Sequence, residues 1–234
     1  MTPYFERDGI VVYHGDCRDV LQAIDLTTVD CLIADPPYGV KLKGKSAKFT
    51  DPKRTTFRPG QYSTPDTPEY LDDVVVPVLS GLIPRVKAAA ITPGIRNMFR
   101  YPQPDDIGGF VSKSATGVGR WGFTIVQPIL FYGSDPFLRT RRGSRANSLI
   151  GIYPNDSNTF DHPCVKPIRP WTWLVERASL EGELLLDPFM GAGTTLVAAH
   201  HTGRRAIGIE IEERYCEIAA KRLEQAVMPL EVPA

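Results

Sequence analysis

Apolar residues fall along this chain in two alternating rhythms. Short runs bounded by turn formers, at Ile10 to Tyr13, Val29 to Ala34, Lys87 to Thr92, Leu184 to Leu186 and Ala206 to Ile209, predict buried strands. Between them, helical spacing predicts helices over Arg18 to Ile24, Pro68 to Leu82, Ile168 to Ser179, from Thr194 through Ala199, and over Glu212 to Val227. Pro77 should kink or restart the second of these, because proline lacks the backbone donor and its ring crowds the preceding turn. Gly122 to Tyr132 predicts a strand interrupted at Pro128. Residues 39–67, rich in Lys, Gly, Thr and Pro, cannot bury much and predict a long loop, while residues 93–120 hold too many Gly and Pro for a pattern to emerge. Strands alternating with helices imply an α/β fold with a mostly parallel sheet and helices on both faces.

Size fits this picture. A chain of 234 residues with 42% apolar content supports one well-buried core, so residues 1–234 are expected to form a single domain with inserts. No run approaches the ~20 apolar residues that span a bilayer, and the polar start from Met1 to Arg7 lacks the apolar core of a signal peptide. A cytoplasmic protein without a membrane partner is expected. Cys17, Cys31, Cys164 and Cys216 form no C-x-x-C pair and predict reduced, packed thiols, with neither a metal site nor a cysteine nucleophile.

Charge changes the picture more. The 27 basic and 27 acidic residues cancel, which argues against a nucleic-acid partner until their distribution is considered. Lys41, Lys43, Lys45, Lys48, Lys53, Arg54 and Arg58 fall in one segment opposed only by Asp51, and Arg139, Arg141, Arg142 and Arg145 fall in another. Such clustering is the electrostatic footprint of phosphate contact, so both groups are candidate DNA-binding residues.

Candidate chemistry sits at two strand ends. Asp35-Pro36-Pro37-Tyr38 follows the run Val29 to Ala34, so a carboxylate, a rigid turn and an aromatic ring emerge together where a buried strand stops. Two prolines remove two donors and leave the Asp35 carboxylate and nearby carbonyls as unsatisfied acceptors. An amino group on a planar ring would supply the missing donors, and Tyr38 offers its ring a stacking face. At the second site, Asp187-Pro188-Phe189-Met190-Gly191-Ala192-Gly193-Thr194-Thr195 reads as strand, glycine turn and helix start. Glycines there admit a ligand close to the backbone and to the helix N–H groups. Glu210, ending the next strand, is suited to gripping two ribose hydroxyls, so the pair describes a nucleoside pocket.

With both sites in view, the chain resembles the S-adenosylmethionine-dependent DNA amino methyltransferases, in the permuted order in which the DPPY motif precedes the cofactor turn. His14-Gly15-Asp16-Cys17 followed by Leu21 resembles the family's adenine-holding segment, and His162-Pro163-Cys164-Val165-Lys166-Pro167 its methionine-side segment. The resemblance implies a Rossmann-like methyltransferase fold and S-adenosyl-L-methionine as cofactor. It implies catalysis by Asp35, Pro36, Pro37 and Tyr38, and cofactor binding by Asp16, Cys17, Lys166, Asp187, Pro188, Phe189, Gly191, Gly193, Thr194, Thr195 and Glu210. The expected reaction is methylation of an extruded base in duplex DNA, at adenine N6, with cytosine N4 as the alternative. A non-catalytic DNA-binding relative and a nicotinamide oxidoreductase are the rival readings; the oxidoreductase expects a third glycine where Leu196 stands. Little chain is left for a separate recognition domain, so the 39–67 loop is expected to close over DNA, and inserts within 95–160 (95–120 and 133–160) to read sequence. The resemblance also leaves room for a homodimer and for a separately encoded restriction endonuclease.

Overall fold

Three segments, Cys31–Ala34, Ala88–Ile91 and Leu184–Asp187, are buried at every position, which a strand achieves only when its sheet is covered on both faces. The computed structural model describes residues 1–39, 66–112, 117–151 and 166–226. In chain order its elements are β1 (Phe5–Arg7), β2 (Ile10–His14), α1 (Cys17–Val20), β3 (Cys31–Ala34), α2 (Pro68–Tyr70), α3 (Val76–Leu82), β4 (Ala88–Ile91), β5 (Asp106–Ser112), β6 (Gly117–Gly119), β7 (Gly122–Thr124), β8 (Val126–Gly133), α4 (Pro136–Arg139), β9 (Ser148–Gly151), α5 (Ile168–Ala178), β10 (Leu184–Asp187), α6 (Thr194–His201), β11 (Arg205–Glu210) and α7 (Glu213–Ala226).

Among the described residues, one sheet runs in the order β1-β2-β11-β10-β3-β4-β8-β5-β9, and β6 and β7 form a separate hairpin. The run from β2 to β4 is parallel throughout. Side chains alternate between two cores. Cys31, Ile33 and Leu185 pack with Trp171, Leu174 and Leu196 from α5 and α6, while Leu32, Ala34 and Leu186 pack with Leu71, Val75 and Leu79 on the opposite face. From β3 the chain steps outward to β4, and from β10 outward to β11 in the other direction. The crevice between β3 and β10 is therefore the switch point at which ligands bind in open α/β sheets.

Pro77 restarts its helix as expected: Leu71–Val75 winds as a π-helical turn after α2, with the Val76 N–H reaching the Leu71 carbonyl, and α3 begins at Val76 with Pro77 in its first turn, where a backbone donor is not needed. Two other expectations change. Pro128 does not interrupt its strand. Its partner Gly109 turns its N–H away to Ser148 Oγ at 3.1 Å, which makes theirs a non-hydrogen-bonded pair and turns the proline nitrogen toward the β4 side. There β4 has already ended, its last residue Ile91 pairing with Leu130, and the break falls instead at Ile125. Finally, β1, β5, β6, β9 and α4 were not foreseen. β1 pairs with β2 through Asp8 and Gly9, whose φ values of 49° and 79° suit the two-residue hairpin turn that an Asp-Gly pair favours.

Candidate active site at the carboxyl edge of the sheet

Each of the five parallel strands hands its last residues to one edge. In sheet order these are Asp16 just past β2, Glu210 ending β11, Asp187 ending β10, Asp35 just past β3 and Thr92 just past β4. The two motifs, far apart along the chain, are therefore neighbours on either side of the β3/β10 crevice, and the charge of Asp35 is felt at Asp187.

Asp35 is held from three directions. Its Oδ1 accepts from the Tyr38 hydroxyl at 2.6 Å and from Thr92 Oγ1 at 2.5 Å, and its Oδ2 lies 2.7 Å from Lys166 Nζ. With Oδ1 committed to two hydroxyls, Oδ2 is the atom a ligand donor could share. Tyr38 is fixed in turn: Gln127 Nε2 donates to its hydroxyl at 3.2 Å and Asn97 Nδ2 to its carbonyl at 2.7 Å. Burial, and then the Asp35 charge, push the phenol above its ordinary pKa, so it stays a neutral donor. Lys166 Nζ also stands 5.4 Å from the Tyr38 ring centroid, within cation–π range. Pro36 is buried and Pro37 half-buried, which locks the turn.

Across the crevice the glycine turn is braced from below. Gly191 and Gly193 have φ of 53° and 74°, and a Cβ on Gly193 would come 2.8 Å from that of Ala219 on α7. Arg222, buried on α7, donates to the Ala192 carbonyl at 2.5 Å and to Thr194 Oγ1 at 3.1 Å. Glu210 accepts from the Gly191 N–H at 3.0 Å through Oε2 and from the Glu212 N–H at 2.8 Å through Oε1, each oxygen keeping acceptor capacity. Burial raises Glu210 to about 7, against those hydrogen bonds, and likewise raises Asp187 to about 7 against a bond from Thr195. Phe189 is half-buried beside this turn, and Pro188 is buried within it.

Other predicted residues are placed differently. Asp16 caps α1, accepting from the Arg18 N–H at 2.9 Å, and the Arg18 side chain, its strongest influence, holds it below the ordinary carboxylate range. Cys17 is a packed thiol, pushed up to about 12 by burial. Lys166, expected beside the cofactor, contacts Asp35 and Tyr38 across the crevice. The second basic cluster is displaced most. Gly133, ending β8, pairs with Ala88 at the start of β4, so α4 and the residues after it lie at the amino edge of the parallel strands, opposite Asp35. There Arg145 bonds Asp135 at 2.5 Å and the carbonyls of Glu176 and Arg177 at 2.8 Å, and stacks over Phe137 at 3.7 Å. Arg139 pairs with Glu183 at 3.3 Å, while Arg141 and Arg142 are exposed at the same edge. The structure thus places Arg139, Arg141, Arg142 and Arg145, expected to bind DNA, at the edge opposite Asp35, with Arg139 and Arg145 engaged in ion pairs. Lys41, Lys43, Lys45, Lys48, Lys53, Arg54, Arg58 and the segment from His162 to Val165 lie outside the described residues.

Thr92, Asn97, Gln127 and Arg222 escaped the sequence reading. Thr92 ends a predicted strand and was within reach; the other three sit in elements whose relation to Tyr38 or to the glycine turn exists only after folding.

Comparison with known proteins agrees with this fold. The profile of a DNA methylase family matches residues 131–221. The putative methylase YubD of Escherichia coli is 44% identical over 225 residues, covering 89% of this chain and 88% of that protein. The type II methyltransferase M2.LlaDCHI of Lactococcus lactis subsp. cremoris is 24% identical over 254 residues, covering 95% and 92%. The match to M2.DpnII of Streptococcus pneumoniae, 51% identical over 67 residues, spans 27% of this chain and 24% of that protein. Among solved structures, the cytosine-N4-specific PvuII DNA methyltransferase superposes with a TM-score of 0.68 at 13% identity, covering 98% of this chain and 90% of that one. The complex of M1.HpyAVI with S-adenosylmethionine gives 0.63 at 19%, covering 91% and 98%. At such identities the likeness is one of fold, the Rossmann-like arrangement of DNA methyltransferases.

Proposed function

This chain belongs to the DNA methylase family, and from that premise we propose that it transfers a methyl group from S-adenosylmethionine to the exocyclic N6 of an adenine extruded from duplex DNA. The observation that carries the reading is the pair of unlike pockets meeting at one crevice, Asp35 with Tyr38 on β3 and Asp187 with Glu210 and the glycine turn on β10 and β11. The donor set suits the cofactor: the buried Asp187 and the half-buried Glu210, with acceptor capacity to spare, match vicinal hydroxyls and a cationic ligand, and a glycine turn admits it closely. When bound, S-adenosylmethionine supplies an electrophilic methyl on sulfonium. Glu210 and Asp187 hold and orient the nucleoside, while the first N–H groups of α6 face its polar end.

At the other pocket, Asp35 acts on a weak nucleophile. An exocyclic amine has its lone pair delocalised into the ring, and hydrogen bonds from that amine to Asp35 Oδ2 and the Pro36 carbonyl favour the pyramidal form in which the pair is localised. The same acceptors stabilise the positive charge that develops on nitrogen, so the effect is electrostatic and specific to the transition state. Thr92 and Tyr38 keep Oδ1 occupied and so aim Oδ2. Lys166 holds Oδ2 until the base arrives, and its ammonium and the incoming amine then share or exchange that oxygen. Tyr38 stacks on the base. The proton leaves after transfer, when the nitrogen is cationic and acidic, so Asp35 need not be a strong base.

Adenine is preferred because an aspartate opens the motif; cytosine N4 is the second reading, favoured by the likeness of fold to the PvuII enzyme. A second copy of this chain and a separately encoded endonuclease are partners proposed on the family resemblance alone. Expression in cells lacking other DNA methylation, with single-molecule sequencing of their DNA, tests the activity. One short motif carrying N6-methyladenine is expected, and N4-methylcytosine overturns the choice of acceptor. Asp35→Ala should lower transfer by ~100-fold or more while cofactor binding persists; transfer that survives the substitution overturns the role given to Asp35.

A further inference from the structure

Several large apolar side chains stand in solvent on the same edge as Tyr38. Trp121 occupies the turn of the β6–β7 hairpin and is fully exposed, and Phe123 on the same hairpin is 75% exposed. Phe99, in the helical turn Met98–Arg100 beyond β4, is 90% exposed, and Ile95 shortly before it is exposed as well. Aromatic side chains gain most from leaving water, so this grouping at one edge calls for an occupant.

Topology locates both tips. β5 is antiparallel to β8, which is antiparallel to β4, so β5 ends on the carboxyl edge and its Val111 pairs there with Val126, the first residue of β8. The β6–β7 hairpin between these strands springs from that edge. Two residues past Ile125, Gln127 reaches the Tyr38 hydroxyl at 3.2 Å. On the β4 side, a Cβ on Gly94 would lie 3.5 Å from the Tyr38 ring, and Asn97 bonds the Tyr38 carbonyl at 2.7 Å. Both exposed tips are thus rooted on the residue that faces the target base. Each carries an exposed arginine, Arg120 on the hairpin and Arg96 on the turn.

We infer that these two tips grip duplex DNA at the point where the target base leaves it, Trp121 stacking on the bases uncovered by extrusion and Phe99 with Ile95 bearing on the duplex from the other side. The inference rests on the methyltransferase reading. Extrusion breaks pairing and stacking and leaves an apolar gap between the neighbouring bases. A flat indole fills such a gap without regard to sequence, and arginine beside it meets the phosphates. Rings carried on two separate elements with a cation on each suit an anionic polymer with flat apolar faces better than they suit a protein partner.

The test uses the full chain with Trp121→Ala, Trp121→Phe and, as a control at the opposite edge, Leu138→Ala. Cofactor binding is measured first by calorimetry. Single-turnover methylation is then followed on a duplex carrying the sequenced site and on the same duplex with an abasic position opposite the target, where unpairing is already done. Trp121→Ala should slow transfer ~10-fold or more on the paired duplex, with most of the rate recovered by Trp121→Phe. The deficit should shrink severalfold on the abasic duplex, and Leu138→Ala should match wild type on both. Wild-type rates for Trp121→Ala on the paired duplex, or equal slowing on both duplexes, overturn the inference. If Trp121→Ala loses cofactor binding, fluorescence decides: Trp171 is buried and Trp173 half-buried, so DNA should quench the wild type through Trp121. A quench that persists in Trp121→Phe overturns the inference. A wild type that methylates no DNA defeats the methyltransferase reading itself, whereas an active wild type with an unimpaired Trp121→Ala defeats this inference alone.

Discussion

Replacing Asp187 with Asn removes one buried ionisable group from the crevice while keeping the acceptor that holds the Phe189 N–H at 3.1 Å. Asp187 is 2% exposed, and burial raises its pKa from 3.8 to about 7. A carboxyl with a folded-state pKa above its unfolded value holds its proton more tightly when folded. Its contribution to stability is therefore complete below about pH 4 and is lost as pH rises through about 7. The gap is about 3 pH units, which at ~1.36 kcal/mol per unit amounts to about 4 kcal/mol, a large share of the ~5–15 kcal/mol of an ordinary domain. The assay is denaturant unfolding of the cofactor-free protein from about pH 5 to about pH 8. Glu210, also raised to about 7 by burial, titrates in both proteins, so the informative quantity is the difference in slope. Wild-type stability should fall with pH more steeply than that of Asp187→Asn, by up to ~1.4 kcal/mol per unit. Parallel slopes would show that Asp187 ionises normally in the folded chain and would remove it from the electrostatics of the crevice.

Gly193→Ala should lower stability by ~1–3 kcal/mol and weaken cofactor binding, since its φ is 74° and the added methyl would meet Ala219 at 2.8 Å; thermal unfolding and calorimetry check both. Lys166→Met should reduce the single-turnover rate ~10-fold or more with cofactor affinity little changed, because the ion pair orienting Asp35 Oδ2 is lost; a cofactor-binding defect with normal turnover would restore Lys166 to the other pocket. Arg145→Ala should destabilise by ~2 kcal/mol, leaving Asp135 with its Arg177 partner but short of one half-buried cation, and should leave the salt dependence of DNA binding unchanged, measured by fluorescence titration at several ionic strengths.

The role of Arg145 marks where sequence reasoning stops. Arg139 to Arg145 and Lys41 to Arg58 are alike as strings of positive charge, and nothing local separates them. What gives Arg145 a bracing role is that β8 is antiparallel, which carries its end to the far side of the sheet and sets Arg145 beside Asp135 and the end of α5. Lys166 shows the same limit at shorter range: its motif neighbours suggested the cofactor, while its side chain reaches Asp35.

Much was legible because it is local. Every helix but α4, the five strands that become the parallel core, and the two turns that end on carboxylates follow from apolar period, from the fixed φ of proline and from the freedom of glycine, properties carried by consecutive residues. Pro77 restarts its helix as its local chemistry dictates, whereas Pro128 was misjudged because a proline in a strand matters only through the bond its partner needs, and that is a matter of register. Which pockets face one another, which donors fix Asp35 and Tyr38, and which arginines are consumed as braces depend on strand order. That order is decided only when both faces of the sheet are buried at once, since no single segment can hide its own apolar side.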